Sequence, residues 1–179
     1  MESDIFIKGE RLDLRTVEKD DIPFLKKNIN DPEVRKDLGQ HTPYNQDKEE
    51  EFVENIASGK EDQVHLLITD SEDEERIGMI SLFRVNKNSG NAEIGLWITP
   101  EHQEEGFGTE ATKLIIEFGF DELRIHRMYA RVFDDNPKSI NIWEKLNFKK
   151  EGIMREASFK DGKYVNVLIY GILKKEWKS

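Results

Sequence analysis

TPEHQEEGFGTEA, residues 99–111, is the stretch of sequence that decides the fold. A strand-like apolar run, residues 92–98, precedes it, and a helical pattern of apolar residues over 106–123 follows it. Glycines in such a loop let the backbone approach a ligand without interference from a Cβ atom. Together with the positive potential of a helix N-terminus, the exposed amides predict a binding site for a phosphate or diphosphate.

Three interpretations of this loop stay open on the residues alone. The loop fits an ordinary strand-to-helix connection in which the glycines only make the turn. Gly106, Gly108 and Ala111 also match a dinucleotide-binding fingerprint, although no βαβ unit with an acidic strand end is expected at the right distance. The third interpretation is a diphosphate loop of another fold. Glu104 and Glu105 oppose an anion unless their side chains point away.

The hydrophobic pattern outside the loop predicts a mixed α/β layer fold. Strands are predicted over residues 6–15, 64–69, 77–85, 92–98 and 127–133, and on both sides of the Asp161-Gly162 turn. Helices are predicted to begin near residue 20, to follow residue 32 as far as 38, and to cover 46–56, 106–123 and 139–146. The length of 179 residues predicts one domain, residues 1–179.

Charge and composition narrow the classes of function. The formal net charge is -10, which argues against a nucleic-acid partner because such binding depends on basic surfaces. A negative field serves solubility, and it also favours the approach of a cationic substrate such as an amine. The sequence has no cysteine, which excludes disulfides, thiolate metal sites and a cysteine nucleophile and fits a cytoplasmic location. No secretory signal and no transmembrane run is expected.

Several segments in one order share a pattern with a known family. They are QEEGFG at residues 103–108, AEIGLWI at 92–98, HRMYARV at 126–132, NPKS at 136–139 and WEKLNF at 143–148. The first resembles the Gln/Arg-x-x-Gly-x-Gly/Ala diphosphate loop of the GNAT acetyltransferases. The others resemble the strand before that loop, the fifth strand, and the Asn-x-x-Ser helix with its ending, in particular in the RimJ/RimL-like branch. The similarity covers nearly the whole chain.

This resemblance implies the GNAT fold, with about seven strands, flanking helices and a splayed central strand pair. It implies direct transfer of an acetyl group from acetyl-CoA to a primary amine, without a metal. The acceptor would be a peptide α-amine, a polyamine or another small amine. The residues expected to bind the cofactor are Leu96, Trp97, Ile98, Gln103, Glu104, Glu105, Gly106, Phe107, Gly108, Thr109, Asn136 and Ser139.

Catalytic candidates follow from the chemistry of the same reaction. Glu93 is the candidate base, directly or through water, since an amine must lose a proton before it attacks; otherwise Glu93 makes an exposed salt bridge. Ser139 is the candidate that supports the leaving thiolate, as the resemblance to RimL-like proteins implies; otherwise it caps its helix. His65 and His102 are the other bases considered.

Departures from the family pattern leave the acceptor open. Many GNAT enzymes have a tyrosine acid where this chain has Trp143, so that mechanism is not available at this position. Trp143, Phe159 and Tyr164 are expected either to line the acceptor pocket or to pack in the core, and the final hairpin could serve a homodimer contact. A non-catalytic acyl-CoA-binding module on the same fold is the alternative function.

Overall fold

An eight-stranded mixed sheet forms the centre of the computed structural model, which describes residues 4–59 and 62–178. The strands are β1 (Ile5–Lys8), β2 (Leu12–Arg15), β3 (Val64–Asp70), β4 (Arg76–Asn86), β5 (Asn91–Ile98), β6 (Arg127–Phe133), β7 (Lys149–Lys160) and β8 (Lys163–Leu173). Their order across the sheet is β1-β2-β3-β4-β5-β6-β8-β7. The predicted mixed α/β fold is confirmed, with one strand more than expected.

The additional strand comes from the start of the chain. The single strand predicted over residues 6–15 is wrong, because the chain reverses there and β1 pairs antiparallel with β2. Gly9 makes the reversal possible: a Cβ atom at this position would lie 2.2 Å from the carbonyl oxygen of Leu12. The Gly9 amide donates to Asp13 Oδ1 at 3.0 Å, which closes the turn. At the other end of the chain, the predicted Asp161-Gly162 hairpin turn is confirmed.

Five α-helices of the described ranges cover the sheet and bury its two faces. They are α1 (Ile22–Ile29), α2 (Pro32–Leu38), α3 (Gln46–Ala57), α4 (Phe107–Asp121) and α5 (Pro137–Lys145). Leu66 and Ile68 pack in the larger core with α4, whereas Leu67 between them packs in the second core with α1, α2 and α3. This alternation is the period of two that a strand imposes on its side chains.

The central strands β5 and β6 separate along their length. They are the parallel pair of the sheet, and their pairing ends at Glu93 and Tyr129. Beyond Glu93, residues 94–98 keep β4 as a partner, and residues 130–133 keep β8. The splayed strand pair is therefore confirmed, and the gap between the two strands opens toward the loop that follows β5.

Candidate active site

A cavity of about 870 Å³ lies where β5 and β6 diverge. Its wall combines the diverging parts of both strands with the loop after β5, the start of α4 and α5, the end of α2 and part of the β7–β8 hairpin. A volume of this size accommodates a sizeable organic ligand.

The loop between β5 and α4 presents free backbone amides at this cavity. Within the described part of the chain, the N–H groups of residues 104–108 have no intramolecular acceptor. The amides of Gln103 and Thr109 are already used, because they donate to the carbonyl oxygens of Pro100 and Gly106. Gly106, with a left-handed φ of 91°, turns the chain into α4. Five consecutive amides at a helix N-terminus form a cradle for an anion.

Two cations flank this loop and offset its two carboxylates. Glu104 and Glu105 are both exposed. Lys138 Nζ lies 3.8 Å from the Glu104 carboxylate and donates to Gln103 Oε1 at 3.1 Å. On the other side, Arg11 donates to the carbonyl oxygen of Glu105 at 3.0 Å. The expected repulsion between the loop carboxylates and an anion is therefore reduced by Arg11, which immediately precedes β2, and by Lys138 of α5.

The expected cofactor-binding residues are gathered at this cavity, with the exception of one side chain. Leu96, Trp97 and Ile98 line the cavity where β5 has no partner on the β6 side. The side chain of Phe107, in contrast, packs in the larger core, and the Arg11 guanidinium lies 4.5 Å from the centre of its ring. Only the backbone amide of Phe107 belongs to the anion cradle.

The first turn of α5 orients the hydroxyl group of Ser139. Asn136 caps this helix by accepting a hydrogen bond from the Ser139 amide at 3.0 Å, so the capping role considered for Ser139 belongs to Asn136. Ser139 Oγ accepts a hydrogen bond from Trp143 Nε1 at 3.1 Å. Ser139 and Trp143 both line the cavity, and Trp143 is only 2 % exposed. Because the indole N–H can only donate, the hydroxyl proton of Ser139 is left for another acceptor.

Glu93 lies at the fork of β5 and β6 and is buried there. Its Oε2 accepts from Arg84 and from the Tyr129 hydroxyl at 3.3 Å, and its Oε1 accepts from Arg131 Nε at 2.7 Å. A carboxylate offers about four lone-pair positions, so one on Oε1 remains available. Burial and the charge of Glu93 raise the pKa of Tyr129, which keeps that hydroxyl protonated. The alternative expected for Glu93 was an exposed salt bridge. The structure instead has a buried carboxylate bound by Arg84 and Arg131.

The two histidines occupy different surroundings. His65 does not line the cavity; its ring contacts Ser81 Oγ at 2.8 Å and Gln63 Oε1 at 3.1 Å. Burial lowers the pKa of His65, so its ring is neutral at physiological pH. His102 lines the cavity, and its Nδ1 lies 2.8 Å from Thr99 Oγ1.

Two of the three aromatic residues expected at the acceptor pocket lie elsewhere. Trp143 lines the cavity, but Phe159 and Tyr164 do not. Those two rings pack edge to face, with centroids 5.2 Å apart, near the tip of the β7–β8 hairpin, and both are exposed. The hairpin carries them past the cavity because β7 and β8 continue beyond the end of β6.

Sequence reasoning missed the residues that β4, β6, α2 and α5 add to the cavity wall. They include Asp37, Phe83, Arg131, Phe133, Lys138 and Ile142. The period of two in β6 places Tyr129, Arg131 and Phe133 on one face, which is the signal that could have found Arg131 and Phe133. This period of two does not by itself place the residues at the cavity, because it does not indicate which strand lies beside β6.

The geometry agrees with one family of known proteins. The sequence model of a protein family, the acetyltransferase (GNAT) domain, matches residues 11–149, which contain β5, the anion cradle and α5. This chain belongs to the GNAT acetyltransferase family. As an N-acetyltransferase, it transfers an acetyl group from acetyl-CoA to an amine.

Relatives of this acetyltransferase cover almost its full length. An uncharacterized N-acetyltransferase of Bacillus licheniformis is 31 % identical over 94 % of this chain and 96 % of its own. The spermidine N(1)-acetyltransferase of Vibrio cholerae is 28 % identical over 94 % of this chain and 96 % of its own. A crystal structure of spermidine N-acetyltransferase from Vibrio cholerae, in complex with CoA and spermine, superimposes with a TM-score of 0.87 and 26 % identity, covering 93 % and 97 % of the two chains.

The acetyltransferase structure fits coenzyme A, and a dinucleotide oxidoreductase is not supported. The free amides of residues 104–108 suit a diphosphate, and the unpaired edge of β5 suits a ligand with amide groups. The expected absence of a βαβ unit was wrong, since β5, α4 and β6 form one. The match to the acetyltransferase family, and not the topology, therefore argues against a dinucleotide oxidoreductase. Within the described residues, no group of acidic and histidine side chains is arranged to hold a metal. None of the helices described is long and apolar enough to cross a membrane.

Proposed function

We propose that this acetyltransferase acts on the primary amine of a small molecule, with the diphosphate of acetyl-CoA held by residues 104–108. The observation that carries the proposal is the run of five free amides beside a cavity at the fork of β5 and β6. Leu96, Trp97 and Ile98 would hold the pantetheine arm, and Asn136 shapes the end near Ser139. The printed activities of the spermidine acetyltransferases support a small amine as acceptor.

Coenzyme A is expected to raise the melting temperature of this protein, and pantetheine, which lacks the diphosphate, to raise it much less. At a concentration of about one hundred times its Kd, a ligand that binds only the folded state adds roughly 2.7 kcal/mol to the free energy of unfolding. For a chain of this length the shift is on the order of 5–10 °C. Differential scanning fluorimetry measures both ligands at equal concentration. Equal shifts would place the main contacts away from the anion cradle.

Gly106→Ala is expected to weaken coenzyme A binding by about 10-fold, measured by isothermal titration calorimetry. Its left-handed φ is costly for alanine, by roughly 1–2 kcal/mol, and relaxation of that strain rotates the amides on both sides. Gly162→Ala is the matched control, because Gly162 also has a positive φ but lies at the hairpin turn in open space. If both variants bind coenzyme A equally well, the cradle is not the binding site.

We propose that Glu93 accepts the proton of the amine through a water molecule. Acetyl-CoA supplies the thioester acetyl group that the amine attacks. The nitrogen–carbon bond forms, the carbon–sulfur bond breaks, and the proton lost by the nitrogen moves toward Oε1 of Glu93, the oxygen with an available position. The proton goes to Oε1 because Arg84 and Tyr129 already occupy Oε2.

Ser139 supports the departing sulfur by hydrogen bonding, and Trp143 positions Ser139. The indole N–H of Trp143 fixes Ser139 Oγ from one side, which leaves the hydroxyl proton to donate toward the cavity. Ser139 also lies in the first turn of α5, where the helix potential favours negative charge. Trp143 thus contributes by orientation at the position where many relatives carry a tyrosine acid.

Ser139→Ala is expected to lower kcat by about 10- to 150-fold, because a hydrogen bond to a charged group contributes roughly 1.5–3 kcal/mol. Trp143→Phe keeps an aromatic ring in the core but removes the N–H, so a smaller fall in kcat is expected. Stopped-flow detection of the free thiol measures both, with coenzyme A affinity as the control. Unchanged turnover in Ser139→Ala would remove this residue from the mechanism.

We also propose a homodimer formed through β7, the edge strand of the sheet. Ile153 is 53 % exposed on this strand, and Met154 beside it is also exposed. A long edge strand with exposed apolar side chains is a template for pairing. Ile153→Lys is expected to give monomers in light scattering, whereas Ile5→Lys, at the opposite edge strand, leaves the dimer intact. A monomeric wild-type protein would contradict the proposal.

Three further interpretations concern the protein as a whole. The non-catalytic acyl-CoA-binding module is not favoured, because relatives that align with almost the whole of this chain are named as acetyltransferases. The RimJ/RimL-like branch and a cytoplasmic location stay predictions; the absence of cysteine supports the second.

A further inference from the structure

The charged side chains of the cavity divide between two regions. The first region consists of the loop between β5 and α4, which carries His102, Glu104 and Glu105, and of α5, which carries Lys138 and Lys145. The region away from the cradle, which we call the acceptor region, contains three charged residues: Asp37 from α2, Glu93 from β5 and Arg131 from β6. The proposed position of coenzyme A leaves this region for the amine, so its charges select the acceptor.

Both carboxylates of the acceptor region already have cationic partners. Glu93 is bound by Arg84 and Arg131. The Asp37 carboxylate lies 3.4 Å from the ammonium group of Lys160, which is only 4 % exposed and also binds Asp135 at 2.8 Å. Each carboxylate is therefore already neutralised in part by its cations, so it attracts the second ammonium group of a polycationic acceptor less than an unpaired carboxylate would.

The Arg131 guanidinium keeps free hydrogen-bond donors in this region. Arg131 uses Nε for Glu93, and its two terminal nitrogens have no hydrogen-bond partner within residues 4–59 and 62–178. Its side chain is 44 % exposed. The terminal N–H groups of Arg131, which lines the cavity, therefore remain available to a ligand in the acceptor region.

We infer that the acceptor molecule carries an anionic group, a carboxylate or a phosphate, in addition to its primary amine, and that Arg131 binds this group. The inference rests on the proposed function, because it needs the amine to occupy this region. A guanidinium presents a planar fork of donors that fits carboxylate and phosphate oxygens. Bound through Nε to Glu93, Arg131 holds the anionic group on one side and the proposed base on the other.

The experiment compares amines that differ in the charge they carry besides the reacting amino group: the anionic members carry a carboxylate or a phosphate, the neutral members carry no second charge, and the dicationic member carries a second ammonium group. Free-thiol release is measured for 5-aminopentanoate, pentylamine and 1,5-diaminopentane, for alanine and alaninamide, and for phosphoethanolamine and ethanolamine. The anionic member of at least one set is expected to have a kcat/KM about 10-fold or more above its neutral and dicationic counterparts. The carboxylate and phosphate sets distinguish the two sources of negative charge.

Arg131→Gln and Arg84→Gln form a matched pair of variants. Each removes one guanidinium from Glu93, but only Arg131 lines the cavity. In Arg131→Gln, the ratio of kcat/KM for the anionic over the neutral amine is expected to fall to about one, whereas Arg84→Gln keeps the ratio. If Arg131 served only to hold Glu93, both variants would change the ratio alike.

The possible failures are distinguishable. A dicationic or neutral amine with the highest kcat/KM in every set, or an unchanged ratio in Arg131→Gln, would overturn the inference and leave the proposed function intact. No thiol release above background with any amine would overturn both.

Discussion

Glu93→Gln is expected to lower kcat by about 10²-fold or more while the affinity for coenzyme A stays the same. A positioned base contributes typically 10²–10⁴-fold to a proton transfer, and an amide oxygen is far less basic than a carboxylate. Gln keeps the size of the side chain, so the strand fork is retained. Steady-state kinetics with free-thiol detection measures kcat, and the melting shift with coenzyme A reports on binding.

Tyr129→Phe is the matched control for this variant. It removes the 3.3 Å hydroxyl contact to Glu93 but leaves both guanidinium partners of the carboxylate. A change of less than about 3-fold in kcat is expected, since one long hydrogen bond between a neutral donor and this carboxylate is lost. A Glu93→Gln enzyme that is as active as Tyr129→Phe would show that another group, such as His102, takes the proton.

Asp21→Ala is expected to lower the free energy of unfolding by about 3–5 kcal/mol, the cost of breaking a buried ion pair by removing one partner. Asp21 is completely buried. Its carboxylate binds the Arg15 guanidinium through two contacts of 2.7 and 2.8 Å, Arg76 at 2.7 Å and the Glu18 amide at 2.8 Å. Without Asp21, the buried charge of Arg15 has no counterion. Urea denaturation at pH 7 measures the loss.

Asp20→Ala, one residue earlier and exposed, is the control and should cost less than about 1 kcal/mol. A similar loss in both variants would contradict the role given to the buried cluster, because position along the chain rather than burial would then decide the effect.

The stability provided by Asp21 depends on pH in a definite direction. Burial by itself raises the pKa of this carboxyl, but the hydrogen bonds from Arg15, from the Glu18 backbone and from Arg76 outweigh it, so the pKa is lowered from 3.8. The contribution is therefore fully present above the unfolded-state pKa of about 3.9 and is lost as pH falls through the lower folded-state value. The difference in stability between wild type and Asp21→Ala should narrow at acidic pH.

Local signals were sufficient for several parts of this protein. The Asp161-Gly162 turn, the starts of α2 and α3, and the glycine loop before α4 each depend on a few neighbouring residues, so the sequence predicted them close to where the structure has them. Most of the residues predicted to bind the cofactor come from the continuous segment 96–109, and they line the cavity except for the side chain of Phe107.

Contacts between distant segments decided the rest. Which amides of the loop stay free depends on the turn at Pro100 and on Gly106, and the partners of Glu93 come from β4 and β6, 9 and 38 residues away. Arg131 and Asp37 reach the cavity only because β6 diverges from β5 and α2 closes its far end. A periodic pattern tells which face of an element a residue occupies but not which element lies opposite. The sequence by itself therefore determined the fold family and the glycine loop proposed to bind coenzyme A, whereas the charges of the proposed acceptor region were decided by the tertiary structure.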